Sequence, residues 1–129
     1  MSKAIDEYDA IKQVVERYVE GAGRGDAATM KGALHPDFRM FGTAGGQRFD
    51  MDLGTFLEIS AAAPLNNAGT YSSRIASVQQ FGDAAVAVLL EDGCWGEVSF
   101  VDLLSLSRVG SDWKIVSKTF THVSGKMPG

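Results

Sequence analysis

The stretch DLLSLSRVGSDWKIVSKTF, from Asp102 to Phe120, decides the fold. On each side of Gly110 it alternates apolar and polar residues with the period of a half-buried strand, and glycine-serine between the two runs is the punctuation of an antiparallel hairpin. Strict alternation places Trp113 and Ile115 on one face of the second run. It places Val116, Lys118 and Phe120 on the other, together with His122 just beyond, while Asp102 stands among the leucines of the first run. Charged groups on such apolar faces need partners.

Working outward from this hairpin, TYSSRIASVQQF and AAVAVLLEDG are two more strand-like runs, and GD, GCWG and GS separate the members of the set. Four long antiparallel strands are expected. Upstream the period becomes helical, with Ile5, Tyr8, Ile11, Val14, Val15, Tyr18, Val19 and Ala22 on one stripe of a helix that Gly21, Gly23 and Gly25 should end. Asp26 then reads as the N-cap of a second helix, AATMKGAL, which Pro36 does not allow to run on. PDFRMFG is extended, TAGGQRF turns between short strands, and Asp50 or Asp52 caps a third helix, LGTFLEISAAA, ended by Pro64 and NNAG. Three helices before an antiparallel sheet make an α+β fold, and the tail SGKMPG is expected to be mobile.

A chain of 129 residues, 45% hydrophobic and 22% charged, fits one domain across 1–129. A formal charge of -4 provides no basic field for phosphates, which argues against nucleic acid as a partner. Cys94 is the only cysteine, so no intramolecular disulfide can form, and with two widely spaced histidines it makes no metal signature. GTAGG lacks the strand-to-helix context and the lysine of a phosphate loop, and no cofactor motif stands elsewhere. The N-terminus MSKAIDEYDAIKQ has scattered charges and no apolar run of signal-peptide length, and no segment approaches the roughly 18 apolar residues of a membrane span. The expectation is therefore a cytoplasmic protein without membrane or cofactor.

The element order, with VVERYVEGAGRGDAATMKGALHPDF at the front and DLLSLSRVGSDWKIVSKTF at the back, resembles the NTF2-like superfamily over nearly the whole chain. That superfamily includes ketosteroid isomerases, SnoaL-type cyclases and scytalone dehydratase. The second motif is similar to the subgroup called putative lumazine-binding, a label for a group without an established reaction. The resemblance implies a cone: a strongly curved antiparallel sheet wrapped around three helices, with an internal pocket for a small organic ligand. It also implies a homodimer through the outer sheet face.

Within that frame Tyr18 is either a core tyrosine or, by its similarity to the first helix of ketosteroid isomerases, a donor to a substrate oxyanion. Asp102 falls where those isomerases keep a protonated aspartic acid, whereas the position of their catalytic base is Gly42, which disfavours steroid-type isomerisation. A three-residue loop around Gly110 would set Asp102 directly across from Lys118, Phe100 from Phe120 and Val98 from His122. A two-residue loop would set Thr119 opposite Asp102 instead. The first register pairs charge with charge and ring with ring and is preferred. Lys118 should then hold Asp102 ionised, with a low pKa, as a buried ion pair or as an anchor for a ligand.

His122 reads as a surface group or as a general acid or base, and His35 as a helix-closing residue that could border the pocket. Phe38, Met40, Phe56, Phe100, Val116 and Phe120 offer an apolar lining, and Trp95, in a hairpin turn, an exposed cap for the pocket or for a partner. Two functional classes follow. One is a small-molecule-binding protein, with cofactor-independent isomerase, dehydratase or cyclase chemistry on Tyr18, Asp102, Lys118 and His122. The other is a non-catalytic interaction module that dimerises through its outer sheet face.

Overall fold

A computed structural model of the chain describes residues 4–128. Among them are α1 (Ala4–Arg24), α2 (Ala27–Ala33), β1 (Leu34–Ala44), β2 (Gln47–Asp52), α3 (Leu53–Ala62), β3 (Ser72–Phe81), β4 (Ala84–Cys94), β5 (Val98–Val109) and β6 (Asp112–Ser124). The order and type of these elements agree with the helical and strand periods of the sequence. α1 runs further than its glycines suggested: Gly21 and Gly23 lie inside it, and Gly25 follows its end at φ +70°. Gly21 is there for space, because a Cβ on it would stand 2.7 Å from Met30 Cγ, so α2 can rest on the backbone of α1. Asp26 caps α2 by accepting from Thr29 N at 3.1 Å, and Asp52, rather than Asp50, caps α3 by accepting from Thr55 N at 2.9 Å.

The six strands form one sheet in the order β2-β1-β6-β5-β4-β3. All neighbours are antiparallel except β1 and β6, which run parallel, so the sheet is mixed where an antiparallel one was expected. No tight turn joins β1 to β6, and nothing therefore obliges that pair to reverse direction. The helices cover the inner face of this curved sheet. Ile11, Val15 and Tyr18 of α1 and Met30 of α2 are buried with Leu89, Leu104, Leu106 and Ile115 of the sheet. Each side chain buried to this extent stabilises the fold by about 1.5–3 kcal/mol.

The β5–β6 hairpin closes with Val109 opposite Asp112 around the two-residue loop Gly110-Ser111, so the expected three-residue loop does not form. Ser105 then faces Ser117 while Leu106 faces Ile115, which leaves Val116 as the extra residue of a β-bulge. One extra residue reverses the phase of everything after it. Trp113 and Ile115 point inward before the bulge, and Lys118 and Phe120 point inward after it. The separation of Trp113 and Ile115 from Lys118 and Phe120 by strict alternation is thereby corrected, and Val116 lies only half-buried at the irregularity.

At the hairpin end of the cone a polar clamp ties α1 to the sheet. Arg108 Nη1 donates to Glu7 Oε1 at 3.0 Å, its Nη2 lies 2.8 Å from Glu7 Oε2, and Trp113 Nε1 donates to Oε2 at 2.9 Å. Arg108 also donates through Nε to Asp83 and stands over the Trp113 ring. Among the described residues the tail makes contacts with the sheet. His122 Nδ1 accepts from Gly45 N, which leaves Nε2 to donate to the Gly125 carbonyl at 2.6 Å, and Lys126 N donates to Glu97. Met127 thus packs back against the core.

Candidate functional site

Between the helices and the inner sheet face lies a cavity of about 150 Å³. Of the side chains expected at a pocket, Tyr18, Met40, Phe56, Phe100, Lys118 and Phe120 line it. Phe38 is buried behind, stacked on Phe56 with ring centroids 5.4 Å apart. His35, Val116 and His122 are not on its wall: His35 Nδ1 accepts from Asp37 N, Val116 lies at the bulge, and His122 is engaged with the tail. The wall also includes Trp95, whose indole is half-buried rather than exposed and donates to the Ala63 carbonyl at 3.0 Å. Trp95 holds φ +51°, a conformation sparsely populated by non-glycine residues, and its own N–H donates to Leu65 O.

The only charged side chains on the wall, among the described residues, are Lys118 and Glu91. Lys118 Nζ donates to Tyr18 Oη at 2.8 Å and lies 3.6 Å from Asp102 Oδ2. It also lies over the rings of Phe56, Tyr18 and Phe120, 4.9, 5.5 and 5.8 Å from their centroids, so its charge meets π faces as well as the carboxyl groups. Asp102 is fully buried behind the lysine, off the cavity wall. Its cross-strand neighbours are Phe120 on β6 and Leu89 on β4, while Lys118 faces Leu104. Lysine and aspartate therefore meet diagonally, two positions along the strands, and not as the directly opposed pair of the preferred register. Neither loop length alone produces this: the two-residue loop would set Thr119 opposite Asp102, and the bulge adds one further step.

Glu91 is the residue that sequence reasoning missed. It stands opposite Phe100 on β4, diagonal to Asp102, so Glu91, Asp102 and Lys118 form one oblique row across three strands. Tyr71 Oη donates to Glu91 Oε2 at 2.6 Å. Glu91 Oε1 and both oxygens of Asp102 are buried without a hydrogen-bond donor among the described residues. The signal was available in AAVAVLLEDG, where alternation puts Ala85, Ala87, Leu89 and Glu91 on one face.

These surroundings set the protonation states. Burial, followed by the neighbouring Glu91 carboxyl, pushes the Asp102 pKa well above the ordinary carboxylate value, and the attraction of Lys118 only partly offsets them. The low pKa expected from the lysine alone is thus reversed. For Lys118 burial opposes the charge, but Asp102 and then Tyr18 and Glu91 outweigh it and hold the ammonium above the usual lysine range. Burial keeps the Tyr18 hydroxyl protonated, and burial with Glu91 does the same for Tyr71. Cys94, also buried, is pushed up to about 12, which leaves an inert thiol. One ammonium faces two carboxyl groups, and burial together with the like charge beside it favours the protonated form of Asp102.

The base position of ketosteroid isomerases is closed here. Gly42 pairs with Phe120, and a Cβ on Gly42 would stand 2.5 Å from two Phe120 ring carbons and 2.6 Å from its carbonyl oxygen. No carboxylate fits. Among the described residues no group of three histidine, cysteine, aspartate or glutamate side chains is placed to hold a metal ion, and no helix is long and apolar enough to cross a membrane.

The fold has close structural relatives. An NTF2-like protein of unknown function from Shewanella baltica shares 23% identity, with 97% of this chain and 100% of that one covered and a TM-score of 0.86. One from Methylobacillus flagellatus, likewise of unknown function, shares 26% over 95% and 97% with a TM-score of 0.84. A ketosteroid isomerase-like protein from Erwinia carotovora is similar at 15% identity over 93% and 98%, with a TM-score of 0.73. No curated protein matches the chain. The chain has the fold of these NTF2-like proteins, and its residues 6–121 match the model of the family described as putative lumazine-binding, to which it belongs.

Proposed function

We propose that the chain binds a small planar organic molecule in the cavity, with its rings among Phe56, Phe100 and Phe120 and an oxygen on Lys118. The observation that carries this reading is a buried ammonium, hydrogen-bonded to Tyr18 Oη, on the wall of a cavity lined mostly by apolar side chains. Such a combination of apolar walls and a few convergent polar groups is the usual character of a ligand site. A cavity of about 150 Å³ accepts a benzene-sized ring. A bicyclic ligand of the kind the family description suggests is larger than this space and would extend beyond it. The chemistry open to the site is cofactor-independent acid/base isomerisation or elimination, because Lys118 and the Tyr18 hydroxyl can hold developing negative charge.

Thermal melting with lumazine and with simple phenols, on the wild type and on Lys118→Met, tests this. A ligand at a hundred times its dissociation constant adds about 2.7 kcal/mol to the folded state, so a clear upward shift is expected in the wild type and its loss in the variant. A shift that persists unchanged in Lys118→Met overturns the assignment of the anchor.

A second reading, self-association, is favoured by Val86, Leu90 and Leu103, which are 40, 38 and 49% exposed on the outer sheet face. Homodimerisation there would cover a patch of the kind that marks protein contacts, and sedimentation at increasing concentration tests it. The two readings use opposite faces of the sheet and are compatible.

A further inference from the structure

The cavity has an acceptor whose partner is missing. Glu91 is 1% exposed and lines the wall, yet its Oε1 has no donor, while Oε2 is fixed by Tyr71. A buried carboxyl oxygen left in this state is costly unless a proton or a ligand group satisfies it. Lys118, the donor on the same wall, is already turned toward Tyr18 and Asp102 and presents its charge among three rings. A donor for an oxygen and an acceptor for a proton thus border one small space.

We infer that Glu91 is the proton-transfer group of this cavity, exchanging a proton with a small enolisable ketone or phenol whose oxygen is held by Lys118. The inference rests on the cavity being a ligand site and names the residue that supplies the base absent at Gly42. In the step, the ligand's C–H or O–H bond breaks and its proton passes to Glu91 Oε1. The electron pair moves into the enolate or phenolate oxygen, which Lys118 stabilises; return of the proton to another carbon of the enolate completes an isomerisation. No oxidant or second substrate is required. The charge balances as well: the proton leaving the ligand neutralises the Glu91 carboxylate as the oxyanion forms beside the Lys118 ammonium.

Other titratable groups packed around Glu91 are Asp102 from β5, Lys118 from β6, Tyr18 from α1, Tyr71 ahead of β3 and Cys94 on its own strand. Asp102 does not reach the cavity, so it acts on Lys118 and Glu91 rather than touching the ligand.

The probe is 4-nitrophenol, whose absorption distinguishes the phenol from the phenolate. At a pH well below the probe's own pKa, the wild type is expected to bind it as phenolate, and Glu91→Gln to bind it as the neutral phenol. In deuterium oxide the wild type should also exchange the acidic C–H positions of 2-cyclohexenone at least tenfold faster than Glu91→Gln, read by proton NMR. A probe that binds wild type and variant in the same ionisation state, with equal exchange rates, overturns the role of Glu91 and leaves the ligand site standing. Absence of any spectral or melting change with either probe overturns the ligand site and this inference together. If Glu91→Gln does not fold, the wild-type spectrum alone decides: a bound neutral phenol refutes the transfer.

Discussion

Two polar clusters are anchored on the same strand, β5, and they differ in what they leave unsatisfied. At the hairpin end Arg108 meets Glu7, Asp83 and the Trp113 ring, and both Glu7 oxygens accept hydrogen bonds. Six residues earlier Asp102 shares its surroundings with Glu91 and Lys118, and three carboxyl oxygens there have no donor among the described residues. The first cluster borders solvent on one side; the second borders an apolar cavity. A completed polar network locks a helix onto a sheet, whereas an incomplete one keeps capacity for something not yet bound. Charge content by itself therefore does not identify the functional cluster. Unsatisfied atoms beside a cavity are what single out the second cluster as the proposed site.

The contrast breaks most visibly at Lys118. Lys118→Met leaves two buried carboxyls without their cation, and at neutral pH it should destabilise the protein by about 3–5 kcal/mol in chemical denaturation. Trp113→Phe removes one hydrogen bond to a buried carboxylate at the completed cluster and should cost about 1.5–3 kcal/mol in the same measurement. A smaller loss at Lys118 than at Trp113 would reverse the ranking of the two clusters.

A third outcome concerns pH and has a definite sign. Asp102 has a folded pKa raised above the ordinary carboxyl value of 3.8, so the folded state binds more protons than the unfolded chain as pH climbs from there. The stability this group contributes is complete below pH 3.8 and is lost as pH rises through the folded value. Asp102→Asn removes that slope, and its melting temperature should gain on the wild type with each step up in pH; a constant offset across the range would refute the raised pKa. The smallest effect belongs to the exposed arm of the completed cluster. Asp83→Asn should leave the melting temperature unchanged within error, because a carboxylate this exposed gains little from its arginine.

Much of this is legible in the sequence alone. Tyr18, Met40, Phe56, Phe100, Lys118 and Phe120 were candidates from periodicity and from the resemblance, and all six line the cavity. His122 was a candidate because strict alternation carries it to the face of Lys118, but it stands at the end of the strand, where the returning tail offers backbone partners. Glu91 escaped because EDG looks like the approach to a turn, although its phase is that of Leu89. The protonation of Asp102 was misjudged because one attraction, from Lys118, was counted without burial and without the second carboxyl.

By itself the sequence determined the three helices, the β1–β2 turn, the four long strands and which residues could be charged inside a cone, because spacing, caps and turn residues act over a few neighbouring positions. Only the tertiary structure decided the parallel β1–β6 pairing, the bulge at Val116 and the oblique row of Glu91, Asp102 and Lys118. Those depend on how strands distant in sequence slide against one another. No glycine or proline marks the bulge, and a single unpaired residue there moved a lysine from the register that local pairing favoured to the wall of the cavity.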